Sequence, residues 1–385
     1  MSNIYTGRES ALPKVIPERI REAREGKGLS AETFAEAIGV TRQAVSQFEI
    51  GQSGPSAQTM TQIIAVTGQP PTFFTSPRRR KADTNTTPFW RSLKRMDHAA
   101  RVRVLRRLEW AADIVDYVES FIDLPHVEVP DFSWDSDSGS DEDIEHLALR
   151  VRQEWSLGNG PIHDMVPLLE NHGFILIREP VGCDDMDAVC RWQTGRPFIL
   201  YSSEVKSNPR TNFNLAHELG HILIHGGVEV DSENIAKIER QANRFAGAFL
   251  LPRNSFPLEV LSTSIEYFKT LKSRWRVAIS AMIYRCKDLE ILNSSQVGYL
   301  WRQMNALGIK KIEPLDSAFP ISAPSLLSAS LEMLVKNRVQ TREEIEVAIN
   351  LNPSDIESLG GTEAGWLSAE KVVNFRPKLI LRQAE

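Results

Sequence analysis

Apolar residues along this chain recur mainly at three- and four-residue steps, the spacing of amphipathic helices rather than strands. Residues 17–74 break into short helical pieces joined by tight turns. Pro17 and Glu18 open the first, which runs to about Gly26. Ser30 caps the second, whose apolar face is Phe34, Ala35 and Ile38, and Gly39 makes the turn. Thr41 caps the third, with Val45 and Phe48 pointing inward; Pro55-Ser56 opens a fourth through Thr67, and a short fifth surrounds Pro71–Phe74. Residues 89–122 predict one or two helices, built on Trp90, Leu93, Val102, Leu105, Leu108, Ala112, Val115 and Phe121. The stretch 232–252 carries Ile235, Ile238, Ala242, Phe245 and Phe249 on one face and closes at Pro252. Two short helices are expected in 325–361, and no internal repeat of solenoid type is evident. Between these lie a basic, proline-bounded linker (76–88) and an acidic, serine-rich segment (131–146) that reads as a loop.

One predicted helix differs from the rest. LAHELGHILIH, residues 215–225, is apolar nearly all round and should be buried, yet it holds His217, Glu218 and His221. Residues four apart share a helix face, so two imidazoles in a His-Glu-x-x-His spacing can hold one zinc ion, with Glu218 placed to act as general base on a water. Buried histidines and a buried glutamate need partners, and a metal supplies them.

A catalytic zinc takes three protein ligands. Glu239, on the next helix with Asn243 one turn later, is one candidate; His225, which continues the four-residue series, is the other. His225 lies about 12 Å along a straight helix from His217, which reads better as a helix end before Gly226-Gly227, at the edge of a cleft.

Two resemblances sharpen this reading. RTNFNLAHELGHILIH followed by ERQANRFAGAFLLP resembles the ImmA/IrrE family of zinc metallopeptidases, through Arg210, Phe213, Ala216, His217, Glu218, Gly220 and His221, then Glu239, Ala242, Asn243, Phe245, Ala246, Leu250 and Pro252. Residues 161–177 resemble the family's first helix and strand, Asp187-Ala188 and 196–203 fit the same template, and 271–289 resembles the helix that closes the domain. The likeness spans roughly 143–315. It implies a zincin-like fold, zinc on His217, His221 and Glu239, Glu218 as general base, and cleavage of DNA-binding repressors in stress response or mobile-element control. Asn243 or Asp187 is expected to orient a ligand histidine.

LSAETFAEAIGVTRQAVSQFEIGQSGPS resembles the helix-turn-helix of Cro and phage repressors (XRE type) over about residues 15–75. That implies a recognition helix presenting Thr41, Arg42, Gln43, Ser46 and Gln47 to base edges of double-stranded DNA. The chain departs from the pattern at Ala31 and Gln52, where phosphate-contacting residues are usual.

The charge distribution supports a nucleic-acid partner at the front. Residues 1–110 hold 18 Lys+Arg against 10 Asp+Glu, while the remainder holds 27 against 40. The same asymmetry would let the two halves attract each other. No apolar run approaches the ~20 residues of a membrane helix, and the amino terminus lacks the apolar core of a signal peptide, so the cytoplasm is the expected compartment. Cys183, Cys190 and Cys286 lack metal spacing and read as reduced thiols.

The expected architecture is multidomain and mainly α: a helix-turn-helix domain (1–77), a basic linker with connecting helices (78–142), an α+β zincin-like peptidase domain (143–315) and a helical extension (316–385). The expected function is a DNA-binding regulator, allowing a homodimer, that carries a zinc endopeptidase acting on a repressor or antitoxin. Two alternatives stay open: a non-catalytic regulator or antitoxin whose zinc domain senses a ligand or binds a partner, and a hydrolase of a small amide, which cleft depth would distinguish.

Overall fold

A computed structural model describes residues 14–79, 97–130, 139–181, 187–226 and 233–368. Most of the basic linker, Trp90, Leu93, Cys183 and the tail from 369 lie outside the described residues.

The front of the chain folds as helices α1 (Pro17–Gly26), α2 (Ala31–Ile38), α3 (Arg42–Glu49) and α4 (Ala57–Thr67), then a 3-10 turn at Pro71–Phe74. The caps are the expected ones: Ser30 accepts from Thr33 N, Thr41 from Ala44 N and Ser56 from Thr59 N. Each satisfies an amide the helix leaves unpaired. Ile20, Phe34, Ile38, Val45, Ile63, Phe73 and Phe74 are buried together. Residues 98–119 form one helix, α5 (His98–Glu119), capped by Asp97.

The acidic segment corrects the loop expectation in part. Residues 141–146 are the opening turns of α6 (Asp141–Glu154), with a reciprocal capping box between Ser140 and Asp143. Asp141, Glu142 and Asp143 sit where a helix amino terminus favours negative charge. After α7 (Met165–Asn171) comes a three-stranded sheet of order β1-β3-β2, with β1 (Ile175–Glu179) parallel and β2 (Ala188–Gln193) antiparallel to β3 (Arg196–Ser202).

Strand alternation makes this sheet a shared wall. Leu176, Ala188, Cys190, Ile199 and Tyr201 join one core, with α6, α7 and the helices that follow the sheet. Ile175, Ile177, Val189, Phe198 and Leu200 join the other, with α5, the front helices and the carboxy-terminal helices. Following the sheet are α8 (Asn208–Ile224), α9 (Ile235–Leu250), α10 (Phe256–Glu259), α11 (Ile265–Trp275), α12 (Ile279–Asp288) and α13 (Ser294–Ala306). The expected single helix over 271–289 is therefore two. Arg276 adopts a left-handed conformation (φ 54°) and ends α11, its guanidinium lying 3.5 Å over the Phe319 ring.

The carboxy-terminal region has three helices where two were expected: α14 (Leu326–Lys336), α15 (Arg342–Ile349) and α16 (Pro353–Gly360). The pair α15–α16 repeats the cap-and-turn pattern of α2–α3. An N-cap (Ser30, Thr341) opens eight residues of helix, a left-handed residue ends them (Gly39, φ 72°; Asn350, φ 56°), and a second cap (Thr41, Asn352) opens eight more. Ile345, Ile349, Leu351, Ile356 and Leu359 pack inward in the places of Phe34, Ile38, Val40, Val45 and Phe48. Here the second helix faces the protein. Asp355 accepts from Arg107 (2.5 Å) and Gln69 (2.7 Å), and Arg107 also pairs with Glu179 of β1. Asn352 donates to Gly68 O and Thr72 to Asn350, both at 2.5 Å. The basic face of α5 and the linker thus engage the protein's own acids: Arg106 meets Glu25 and Glu109, and Arg78 meets Glu109 and Asp113. No described helix is long and apolar enough to cross a membrane.

Candidate metal and active site

Helix α8 carries the His-Glu-x-x-His segment and is buried along most of its length. Pro209 sits in its first turn, where its missing amide costs nothing, and Ser207 caps it. Helix α9 packs along it, and the close approach occurs at Gly220: a Cβ there would meet Phe245 at 3.1–3.3 Å. That contact brings Glu239, on α9, opposite the two histidines.

The three side chains converge. His217 Nε2 and His221 Nε2 are 3.0 Å apart, and each lies 3.5 Å from a Glu239 carboxylate oxygen. A tetrahedral zinc with bonds of ~2.0–2.1 Å spaces its ligand atoms roughly 3.3 Å apart, so this triangle has the right size. The histidine tautomers fit as well. His217 Nδ1 is 3.1 Å from Asn243 Oδ1, which can only accept, so Nδ1 carries the hydrogen and Nε2 the lone pair. Gln241 Oε1 accepts from His225 Nε2 (3.0 Å), which leaves His225 Nδ1 to accept from His221 Nδ1 (3.1 Å). His221 Nε2 therefore also presents a lone pair. Two lone pairs and a carboxylate pointed at one place repel unless a cation lies among them, and these residues fit a zinc ion.

Protonation follows the same logic. Burial pushes His221 down to about 3 and His225 down to about 4, so both are neutral near pH 7. Burial opposes charge on Glu239 too, but the influence of the two neighbouring histidines outweighs it and holds the carboxylate well below its usual range. At His217 burial is outweighed by Glu239, Glu218 and Asn243, and the net shift is upward. Glu218 is 4% exposed, next to the Cys190 thiol. Burial raises its carboxyl above the ordinary value, offset in part by His217. A carboxylate shifted that way is better matched to accept a proton near neutral pH.

Asp187 lines the adjoining cavity, but its carboxylate reaches neither histidine among the described residues. The partners are Asn243 and His225. His225 is not at a cleft edge: it is fully buried, and its role behind His221, with Gln241 behind it, was not foreseen. Gln241, a polar residue three after Ile238 and four before Phe245 on the apolar side of α9, was the available signal. The cavity measures about 870 Å³, and Glu239, Asn243, Phe213 and Tyr284 are among its walls. At the front of the chain, Thr41, Arg42, Gln43 and Ser46 on α3 are exposed and Gln47 is half-buried. Cys190 and Cys286 are buried free thiols, and burial raises Cys286 to about 12.

These features agree with what the chain resembles. Residues 169–287 match the IrrE N-terminal-like domain of the peptidase M78 family. This chain carries an IrrE-like domain. Residues 20–74 match the helix-turn-helix family, so the IrrE-like domain follows a DNA-binding fold in one polypeptide. A relative is the SPbeta prophage-derived uncharacterized HTH-type transcriptional regulator YonR of Bacillus subtilis (strain 168), 35% identical over 51 residues. That match covers 13% of this chain and 47% of the relative, so the chain spans about half the length of the relative it matches.

Proposed function

We propose that this chain is a DNA-binding transcriptional regulator whose IrrE-like domain is a zinc-dependent endopeptidase acting on a repressor or antitoxin protein. The observation that carries the reading is the convergence of His217, His221 and Glu239 beside a buried Glu218. A structural zinc site has no use for a second, uncoordinated carboxylate at that position.

His217, His221 and Glu239 would hold the ion. When bound, zinc supplies Lewis acidity, polarising a peptide carbonyl and making water more acidic. Asn243 fixes the ring of His217, and the His225–Gln241 pair fixes that of His221. Glu218 takes the proton of the attacking water and passes it to the leaving amine nitrogen. The exposed face of α3, with Thr41, Arg42, Gln43, Ser46 and Gln47, would read base edges and place the enzyme at an operator. Its only cation is Arg42.

The experiment compares protein amino termini in cells expressing the chain or its Glu218→Gln variant. New termini that appear with the wild type and vanish with the variant support the peptidase. Identical terminal profiles, with both proteins zinc-loaded, would leave a regulator that binds metal without turnover.

A further inference from the structure

The cavity beside the metal-binding residues carries more chemistry than that cluster uses. Phe213 lies one turn before His217 on α8 and lines it, as do Glu239 and Asn243, so anything lying in the cavity meets Glu239 of the metal-binding cluster. Its volume of about 870 Å³ is at the upper end of the ~300–1,000 Å³ of small-ligand pockets. One wall is open to solvent through Tyr284, which is 54% exposed on α12. The Tyr284 and Trp301 ring centroids are 5.3 Å apart, tilted by 52°, forming a two-ring shelf inside the cavity. Single exposed aromatics are common on protein surfaces, but two in contact within a cleft are an apolar binding surface.

The charges in the cleft are unevenly satisfied. Arg240 is paired with Asp141 (2.7 Å), and Arg244 and Arg285 with Glu145 (2.8 and 2.5 Å). Lys310 has no ion pair among the described residues. Arg210 donates to Lys310 O at 3.3 Å and is 3.9 Å from an Asp316 that already binds Lys272 and Ser207. Arg210 and Lys310 thus leave positive charge on the same cavity that Trp301 lines, while Asp187 adds one carboxylate at the start of β2.

From these observations we infer that the cleft binds an extended polypeptide segment with a bulky apolar side chain on the Tyr284–Trp301 shelf and an adjacent acidic residue on Arg210 and Lys310. The inference rests on the peptidase reading for its purpose but not for its test. An open wall and a volume of about 870 Å³ bounded by Phe213 and Trp301 suit a chain better than a small amide. Charge complementarity selects the acidic neighbour. Tyr284 and Trp301 would set specificity without touching the reacting atoms.

The test is a random dodecapeptide phage library panned on the full-length Glu218→Gln chain, which cannot consume what it binds. The expected result is enrichment of peptides pairing a bulky apolar residue with Asp or Glu. Synthetic versions should bind about tenfold more weakly to Tyr284→Ala, and Tyr284→Phe should restore binding. Lys310→Glu, at an exposed site, should remove the acidic preference and keep the apolar one. No enrichment, or equal binding by Tyr284→Ala and Lys310→Glu, overturns the inference. Peptides that bind with this preference while no cellular termini depend on Glu218 would sink the peptidase and leave the subsite standing. Glu218-dependent termini with no apolar–acidic signature would do the reverse.

Discussion

Replacing His225 with phenylalanine tests whether the buried relay behind His221 tunes the metal site. The substitution keeps a ring in a fully buried position but removes both nitrogens. Two polar groups lose their partners: the His221 Nδ1 donor at 3.1 Å and the Gln241 Oε1 acceptor at 3.0 Å. An orphaned buried polar group costs about 1–3 kcal/mol. Part of that cost falls on folding. The part that falls on metal binding arises because His225 no longer fixes the tautomer of His221, and loss of such an outer contact typically weakens metal affinity about 10–100-fold. That corresponds to roughly 1.4–2.7 kcal/mol. His225 sits at about 4, so the relay is neutral and intact at pH 7.5 and above, where the measurement should be made. Zinc dissociation constants from chelator competition, for the wild type, His225→Phe and Asn243→Ala, give the answer. Each variant should weaken binding within that range, Asn243→Ala through His217 and His225→Phe through His221. A His225→Phe affinity within twofold of wild type, in a protein that still melts cooperatively, would refute the relay.

Three further outcomes follow. Zinc affinity should be flat at high pH and fall as pH drops through a value above the ordinary 6.5 of histidine, because His217 is shifted upward and its proton competes with the metal; His221, at about 3, contributes nothing there. Competition titrations between about pH 6 and 9 would contradict this if the fall began only below the ordinary value. Arg107→Ala should cost about 3–5 kcal/mol in urea unfolding, because it strands the buried Glu179 and Asp355 together, and a loss below about 1 kcal/mol would show that the junction around α5 is not held this way. Arg42→Ala should cost about 1–3 kcal/mol on a DNA sequence selected by the wild type and relax its preference at one base, whereas a uniform loss on all sequences would make Arg42 a backbone contact only.

Local patterns were legible and long-range assembly was not. Ser30, Thr41, Ser56 and Gly39 announce their caps and turn because capping is a property of a few adjacent residues. His217 and His221 could be anticipated as a pair because the motif spacing fixes a helix face, and Glu239 as their partner because the family resemblance implies it. The segment 131–146 was misread in part because its acidity looked like a solvated loop, when three acids after a capping serine suit a helix start. Arg276 broke the expected long helix by a left-handed residue that no glycine or proline signals. The repetition of α2–α3 in α15–α16 is hidden because it conserves only the places of burial and turn: Asn350 stands where Gly39 does, and isoleucine and leucine stand where the front unit has phenylalanine and valine. The partners of Arg107, on β1 and α16, lie 72 and 248 residues away, and periodicity carries no information over such separations.

The central claim is that His217, His221 and Glu239 form a zinc site. Elemental mass spectrometry of the purified chain beside its His217→Ala variant tests it most directly. The account predicts about one zinc per wild-type chain and none retained by the variant. A wild-type protein that takes up no metal after zinc is supplied, or a variant that keeps its full complement, would contradict it.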